Sequence, residues 1–507
     1  MSNAFKIGLW SGIFGLVIVI LFGGQSVIML GVIAGILAGM LAGAHEGITD
    51  SRTAVQQGVI AGVVAGAILI AANLLRHIGL ASVLGGSPFG VAAVLTQGLI
   101  AAALTIGVAA LLSAAAHLPG RVILFQRRIA SSTFATYAIL AVIVLVFPFI
   151  DSAIKLNWIG VVITCLVFIL LALGLNVVVG YAGLLDLGYA AFFAIGAYTV
   201  ALLSSDHLGA QLGYKLRLSF WLVLWIAAGM AAVFGLILGS PTLPLRGDYL
   251  AIVTLGFGEI VPIVFRNLDK VTLKIGNWII FENLNLTGGE PGISPIDPPA
   301  LPGINFADRS NQQAWYFLLL VIILLSVVLI LRLRDSRMGR AWMAMREDEL
   351  AAASMGINIV RTKLLAFSMG AFFSGFGGAF FAAYVSGAFP SSFDFSVSVI
   401  VLCMVILGGL GSMTGVIVGG LIIELSDRLF LPQFSLFLQE LAKNNPDLVW
   451  LQQFDPNLYR FGLFGLVLVM MMQLRPEGLL PNARRQAELH DYDEPPELAV
   501  EADPVAS

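Results

Sequence analysis

The chain has 507 residues, of which 59% are hydrophobic and 11% charged, against roughly 25% charged in an ordinary soluble domain. Its mean hydropathy is +0.95 and its net charge is −3. These values exclude a soluble globular enzyme, a disordered chain and a nucleic-acid binder, and the apolar runs are too many and too long for a single anchor.

Residues 1–130 hold four Gly- and Ala-rich runs, at about 7–23, 26–44, 57–74 and 90–115, and are read as an N-terminal extension of four transmembrane helices. The stretch 31–39 (GVIAGILAG) nearly repeats at 58–66 (GVIAGVVAG), which gives small-residue faces suited to close helix packing. The run after Lys6 lacks a small-residue cleavage site and is read as a retained helix. A basic linker at 116–133 leads into a core over 131–485, with apolar runs at about 134–150, 157–179, 182–204, 218–240, 248–266, 315–331, 364–385, 396–411, 413–424 and 458–474. The expected fold is all-α: a polytopic transmembrane helix bundle of about fourteen membrane segments, some of them broken or hairpin-like and rich in glycine. Residues 486–507 form an acidic tail with no Lys or Arg and no core of its own.

Within the core, 180–198 (GYAGLLDLGYAAFFAIGAY) follows Gly174-Leu175-Asn176 and places four glycines and one acid at a membrane entry. Irregular backbone at that depth needs shielding by protein or a wet cavity. Asp186 is either the N-cap of the next helix or part of a solute pathway, and the two roles are compatible because a helix N-terminus also attracts a carboxylate. The next motif, 245–260 (LRGDYLAIVTLGFGEI), sets Arg246 and Asp248 at the boundary as an ion pair and Glu259 about eleven residues into a span. Glu259 either lines a pathway or pairs with Arg266 two turns along the same helix. Residues 267–313 carry turn chemistry at 287–293 (TGGEPGI), and 425–457 mix polar and aromatic residues with a short surface helix. Both are expected on the outer side, where long loops can dock a delivering protein.

The loop 332–363 carries Arg332, Arg334, Arg337, Arg340, Arg346, Arg361 and Lys363 and is assigned to the cytoplasm. Arg121, Arg127 and Arg128, together with Arg475, Arg484 and Arg485, share that side only if 396–424 returns to the side it entered from. That region is therefore read as a hairpin turning at Gly408, Gly409 and Gly411, with both termini cytoplasmic. Residues 339–357 (GRAWMAMREDELAAASMGI) form a strong helix ended by Gly356, with Met345 and Ala352 on an apolar face suited to a groove on another protein. The acids Glu347, Asp348 and Glu349 argue against a helix resting on anionic headgroups. Cys165 and Cys403 lie inside apolar runs and read as small hydrophobes; the five histidines show no ligand spacing, and no metal site is expected. The sequence has no G-x-x-x-x-G-K-[ST] phosphate loop and no acid/base cluster, so catalysis is not expected.

Across about 134–482 these motifs resemble the membrane permease subunits of branched-chain amino acid ABC importers, the LivM type in particular. The resemblance rests on Gly174-Leu175-Asn176 with 180–189, on 245–259, on 286–289, on 339–356, on 407–412 and on 475–479. It implies half of a translocation pathway for Leu, Ile or Val. It also implies a sister permease, two ATPase subunits that bind ATP and Mg, an extracytoplasmic solute-binding protein and the plasma membrane of a prokaryote, with no cofactor in this chain. Pathway candidates are Asn176, Gly183, Asp186, Tyr189, Thr254 and Glu259; the hairpin glycines Gly408, Gly409 and Gly411 join them. Gly339, Arg340, Met345, Arg346, Glu347, Asp348, Glu349 and Gly356 would form the coupling helix, although Glu349 is followed by Leu350 where the commonest importer pattern has Glu-Ala-Ala and then Gly. Urea or short-amide importers use similar permeases and are the alternative; an ion-coupled carrier acting alone would need more intramembrane ionisable groups than Asp186 and Glu259.

Overall fold

The computed structural model describes residues 144–149, 151–152, 158–212, 217–242, 248–275, 278–308, 311–444, 455–474 and 478–480. The four expected N-terminal spans, the basic linker, Arg246, the C-terminal arginines and the acidic tail lie outside the described residues. The chain forms two compact units: residues 151–426 with 461–507, and residues 1–150 with 427–460.

In the first unit the long apolar runs become helices, because in an apolar surround the backbone must satisfy its own N–H and C=O groups. α1 (Ile159–Asn176) continues as a π-helical turn, Val177–Tyr181. After an irregular segment, α2 (Tyr189–Leu203), the short α3 (His207–Leu212), α4 (Phe220–Thr242) and α5 (Asp248–Asn267) follow. α6 (Gln312–Arg334) leads into α7 (Arg337–Glu347), α8 (Glu349–Ser354) and α9 (Ile359–Val385). α10 (Phe395–Gly408) and α11 (Met413–Leu425) come next. Six helical stretches among the described residues are long and apolar enough to cross a membrane: Ile159–Tyr181, Phe220–Pro241, Tyr249–Asn267, Gln312–Arg334, Ile359–Val385 and Pro390–Gly408. This supports a polytopic helical membrane protein and leaves the expected number of about fourteen segments as an expectation.

α9, with 27 residues and a length of about 40 Å, is the central helix, and α1, α2 and α4 all pack on it. Close approach is possible because the contact faces are small: Gly375 lies against Ala227 and Ala228 of α4, and Gly378 against the Phe193 carbonyl and Ala197 of α2. Between these contacts Phe193, Phe373, Phe376, Phe380 and Phe393 are fully buried.

Three expectations are corrected. The fold is not purely α, because 267–308 holds two antiparallel two-stranded ribbons, β1 (Val271–Ile275) with β2 (Trp278–Leu284) and β3 (Ala300–Leu301) with β4 (Ile304–Asn305). The first pair is rich in β-branched and aromatic residues, and outside lipid a strand edge can be satisfied by water. The run expected at 182–204 is helical only from Tyr189, since Gly183 (φ +70°) and the turn at Asp186 break the ladder. The stretch 339–357 is two helices rather than one.

The region 396–424 is a helical hairpin. α10 and α11 pack antiparallel, and a Cβ on Gly408 would overlap the Gly415 carbonyl. The turn uses Gly409 (φ +117°) and Gly411 (φ +80°), conformations that disfavour a side chain. Leu479 N–H and Leu480 N–H donate to the Leu407 and Gly408 carbonyls at 2.9 and 3.1 Å and close the hairpin's end.

The ribbon segment and the arginine-rich segment lie at opposite ends of α6. At the ribbon end, Ile293 and Ala388 exchange both backbone hydrogen bonds, Arg266 pairs with Glu290 (3.2 Å) and Asp394 (3.7 Å), and Arg217 pairs with Asp206 and Asp297. In the second unit, α12 (Leu431–Asn444) realises the expected helix of 425–457, with Ser435 Oγ donating to Asp455 Oδ1 at 2.9 Å. α13 (Arg460–Leu474) follows it in the chain.

A leucine at Gly375 has no space, since even a Cβ there would stand 2.8 Å from Ala228 Cα. Gly375→Leu is expected to destabilise the protein by roughly 1–3 kcal/mol or more, read as a lower melting temperature in detergent. Gly229→Ala, with nothing within 4 Å of the new methyl group, is expected to leave the melting temperature unchanged or slightly raised.

Candidate functional site

The irregular segment between α1 and α2 turns back into the bundle. Asp186 Oδ1 accepts the Gly188 N–H at 2.9 Å, a local Asx turn and not the expected bond to the first turn of α2. The Ala190 N–H instead donates to Ser398 Oγ of α10 at 2.9 Å. Leu187 N–H donates to Thr254 Oγ1 of α5 at 3.1 Å, and that hydroxyl donates onward to the Ala251 carbonyl at 3.0 Å. Gly188 meets α5 so closely that a Cβ would overlap the Thr254 carbonyl. Tyr189 OH donates to the Gly370 carbonyl of α9 at 3.0 Å.

Asp186 Oδ2 is buried without a hydrogen-bond partner among the described residues. It borders a cavity of about 10 Å³ lined by Gly188, Phe192, Leu238, Thr254, Phe257 and Phe367. Such a space holds about one water and no amino acid. In this conformation the Asp186 carboxylate is shielded from solvent and the space beside it is too small for a solute.

α5 has two faces. Leu250, Ala251, Thr254 and Gly258 turn into the bundle, whereas Tyr249, Ile252, Glu259, Ile260 and Ile263 are exposed. Ile252, Gly256, Glu259 and Ile263 follow one another at helical spacing on the outer face. Arg266 is engaged by Glu290 and Asp394, so the expected pairing with Glu259 is not made. Glu259 has no ion-pair or hydrogen-bond partner among the described residues.

At the opposite end from the ribbons, Ser336 caps α7 by accepting the Met338 and Gly339 N–H groups at 3.2 and 3.3 Å. Gly339 packs so tightly under the end of α6 that a Cβ would overlap the Arg334 carbonyl. Arg334 donates to Asp335 and holds its carboxyl below the usual carboxylate range; Arg340 donates to the Asp335 carbonyl at 2.8 Å and stays exposed. Asp348 ends α7 and caps α8, accepting Leu350 N–H at 2.7 Å and Ala351 N–H at 3.0 Å, which is why one expected helix is two. Gly356 (φ +86°) stops α8, with Ile357 N–H returning to the Ala352 carbonyl.

This arm is clamped to α9. Trp342 is fully buried, its Nε1 donating to the Thr362 carbonyl at 2.8 Å, and Lys363 Nζ lies 2.6 Å from Glu349 Oε1. Met345 and Ala352, expected to face a partner, are buried in this chain, because the apolar stripe of a short helix finds its nearest cover on its own bundle. The apolar side chains turned outward are Leu350 (68% exposed) and Met355 (84%), among exposed Glu347 and Asp348. Arg346 also turns inward, with Nη1 donating to the Gly180 carbonyl at 2.7 Å.

Asn176 is fully buried. Its Oδ1 accepts the Gly411 N–H at 2.9 Å, which ties α1 to the turn of the hairpin at Gly408, Gly409 and Gly411. The structure thus brings Asn176, Gly183, Arg346 and Gly411 to one junction and Asp186, Tyr189 and Thr254 to another, while Glu259 stands apart. Ser398, Trp342 and Lys363 emerge only from the fold; their bonds join residues that the sequence separates by up to about two hundred positions. Glu424, a carboxylate buried near the end of α11, was legible as an acid at the edge of an apolar run.

A profile of the family described as "Branched-chain amino acid transport system / permease component" matches residues 157–472. The chain is 38% identical over 370 residues to the high-affinity branched-chain amino acid transport system permease protein LivM of Escherichia coli (strain K12), covering 69% of this chain and 75% of the relative. Over 348 residues it is 24% identical to the probable branched-chain amino acid transport permease protein LivM of Methanocaldococcus jannaschii, covering 62% and 90%. Over 284 residues it is 24% identical to the permease protein LivH of Escherichia coli (strain K12), covering 52% and 81%. No solved structure matches.

Asn176→Ala and Thr254→Val each remove the acceptor of a backbone N–H, at Gly411 and Leu187. Each is expected to weaken its segment by roughly 1–3 kcal/mol. Amide hydrogen exchange at 409–412 and at 186–189, respectively, should accelerate, and unchanged exchange would show these bonds to be dispensable.

Proposed function

This chain belongs to the family of permease components of branched-chain amino acid transport systems, and on that footing we propose that it forms one half of the membrane pathway of an ATP-driven importer for Leu, Ile and Val. A related permease supplies the other half. Matches to relatives named LivM and to relatives named LivH support a pathway shared between two similar chains. Two ATPase subunits bind ATP and Mg and receive the arm, and a solute-binding protein delivers the amino acid at the ribbon end. The chain lies in a prokaryotic plasma membrane with both termini and the arm in the cytoplasm, and it has no catalysis of its own.

The observation that carries this reading is the outer face of α5. A carboxylate within a span does not face lipid, where an ionised group costs several kcal/mol. Glu259, with Ile252, Gly256 and Ile263 in line, therefore needs cover that this chain's described residues do not supply. A second permease chain gives that cover and leaves a seam of one polar group among apolar side chains, which suits a zwitterion with an aliphatic side chain. Thr254 Oγ1 and Asn176 Oδ1 are bound to backbone within the bundle, while Glu259 carries the direct pathway role; Asn176 Nδ2 and Asp186 Oδ2 are buried atoms without a partner among the described residues and are available to a solute once the segment rearranges. At the other end, Leu350 and Met355 with Glu347 and Asp348 form the surface for an ATPase groove.

Reconstituted in vesicles with its partner subunits, the importer is expected to accumulate labelled leucine, competed by unlabelled isoleucine and valine and not by urea. Glu259→Gln should lower uptake about tenfold or more, equal to ~1.4 kcal/mol on the barrier. Uptake unchanged in both Glu259→Gln and Ile252→Trp would remove this face from the pathway. Leu350→Glu with Met355→Glu should lose the ATPase subunits on purification.

A further inference from the structure

We infer that Arg346 is the positioning residue through which movement of the arm reaches the broken helices in the membrane. This rests on the reading of 337–357 as the docking arm, and it turns Arg346 from a contact for the ATPase into an internal link.

Three pieces of chain meet at this side chain. Its Nη1 donates to the Gly180 carbonyl at 2.7 Å, in the π-helical turn that ends α1. The last carbonyls of a helix lack partners in the helix and carry partial negative charge, so a guanidinium makes a strong, charge-assisted bond there. The aliphatic part of the same side chain lies on Gly183, where a Cβ would stand 2.8 Å from Arg346 Cγ and 3.3 Å from Arg346 Cβ. The third piece is the hairpin turn: a Cβ on Gly411 would lie 3.7 Å from Arg346 Nη1, and Gly411 N–H is held by Asn176. Gly180 itself has no free space, since a Cβ would overlap Asn176 Oδ1 and stand 2.6 Å from Gly411 N. The end of α1, the start of the irregular segment and the tip of the hairpin therefore move together, and Arg346 joins them to the arm. Close by, the Arg334 guanidinium at the root of the arm lies beside the Tyr181 phenol at the end of the same turn.

The arm has two kinds of anchor. Trp342 and Lys363 fix it to α9 and set where it stands. Arg346 reaches across to α1 and the hairpin. A force applied at Leu350 and Met355 then acts on both sets of helices at once, and removal of the Arg346 link leaves the arm held by α9 and by the end of α6, where Gly339 packs, without its hydrogen bond to the end of α1.

The test uses the complete importer in vesicles, with ATP hydrolysis and leucine uptake measured on the same preparation. Arg346→Met is expected to keep its ATPase subunits and to hydrolyse ATP near the normal rate, while uptake per ATP falls about tenfold. A paired variant, Gly183→Cys with Arg346→Cys, places two thiols near disulfide reach, for which Cβ atoms stand ~3.5–4.5 Å apart. It should be poorly coupled when reduced with dithiothreitol and regain most of its uptake per ATP when oxidised with copper phenanthroline. Gly183→Cys alone, which controls for strain at φ +70°, should show no redox response; Cys165 and Cys403 are buried.

The inference is overturned if Arg346→Met sheds the ATPase subunits, which would make it a docking contact, or if its uptake per ATP is normal. A disulfide that forms without restoring coupling overturns it as well, and this comparison within one assembled protein decides the matter even if Arg346→Met fails to fold. Failure of the docking reading is separately visible, as Leu350→Glu with Met355→Glu retaining both ATPase subunits and uptake.

Discussion

Wherever a helix breaks inside an apolar bundle, its freed N–H and C=O groups must find partners that water cannot provide, and this requirement organises the structure. Each break is answered by a side chain from elsewhere. Asn176 takes the Gly411 N–H, Thr254 the Leu187 N–H and Ser398 the Ala190 N–H, while Arg346 supplies the Gly180 carbonyl. An amide–carbonyl bond contributes only about 1 kcal/mol net in water, but an unsatisfied buried group costs about 1–3 kcal/mol. The breaks are therefore held in one arrangement, and another arrangement requires several partners to exchange together. That is the behaviour expected of a gate with discrete states.

The same requirement reassigns the polar residues. A polar side chain within a span invites a pathway role, yet Asn176 and Thr254 are bound to backbone within the bundle. Tyr189 likewise serves the Gly370 carbonyl. The atoms left over are more telling: Asn176 Nδ2 and Asp186 Oδ2, buried without a partner among the described residues, and Glu259 on a face that the described residues leave open. The first two lie inside the bundle; Glu259 points outward from it. The two ends of the bundle differ in kind. The ribbon end is fastened by exposed ion pairs, each worth little alone, and by the two-way backbone bridge between Ile293 and Ala388. The other end carries the arm, with a buried tryptophan at its base and exposed leucine and methionine at its tip.

Much of this was legible from residue order. Long apolar runs marked the spans, Gly356 and the Leu407–Gly411 glycines marked stops and turns, and the arginine-rich loop marked one end. The hairpin of α10 and α11 followed from the need to return the C-terminal arginines to that end. Less legible were the inner and outer faces of short amphipathic segments. Met345 and Ala352 formed an apparent binding stripe, but a stripe does not say which neighbour covers it, and the chain's own α9 lies nearest. Asp348 reads as one more surface acid until its carboxylate is seen to cap α8. The ribbons in 267–308 escaped notice because turn chemistry dominates that stretch.

Residue order alone determined that this is a helical membrane protein with glycine-broken segments and a charged arm, because hydropathy over about twenty residues and the conformational freedom of glycine are local properties. Only the tertiary structure decided which polar atoms are satisfied, which arm residues face inward, and that Arg346 meets Gly180, Gly183 and Gly411 at one point. Those outcomes depend on contacts between residues as many as 235 positions apart, and hydrogen-bond partnership at that range follows from packing rather than from pattern.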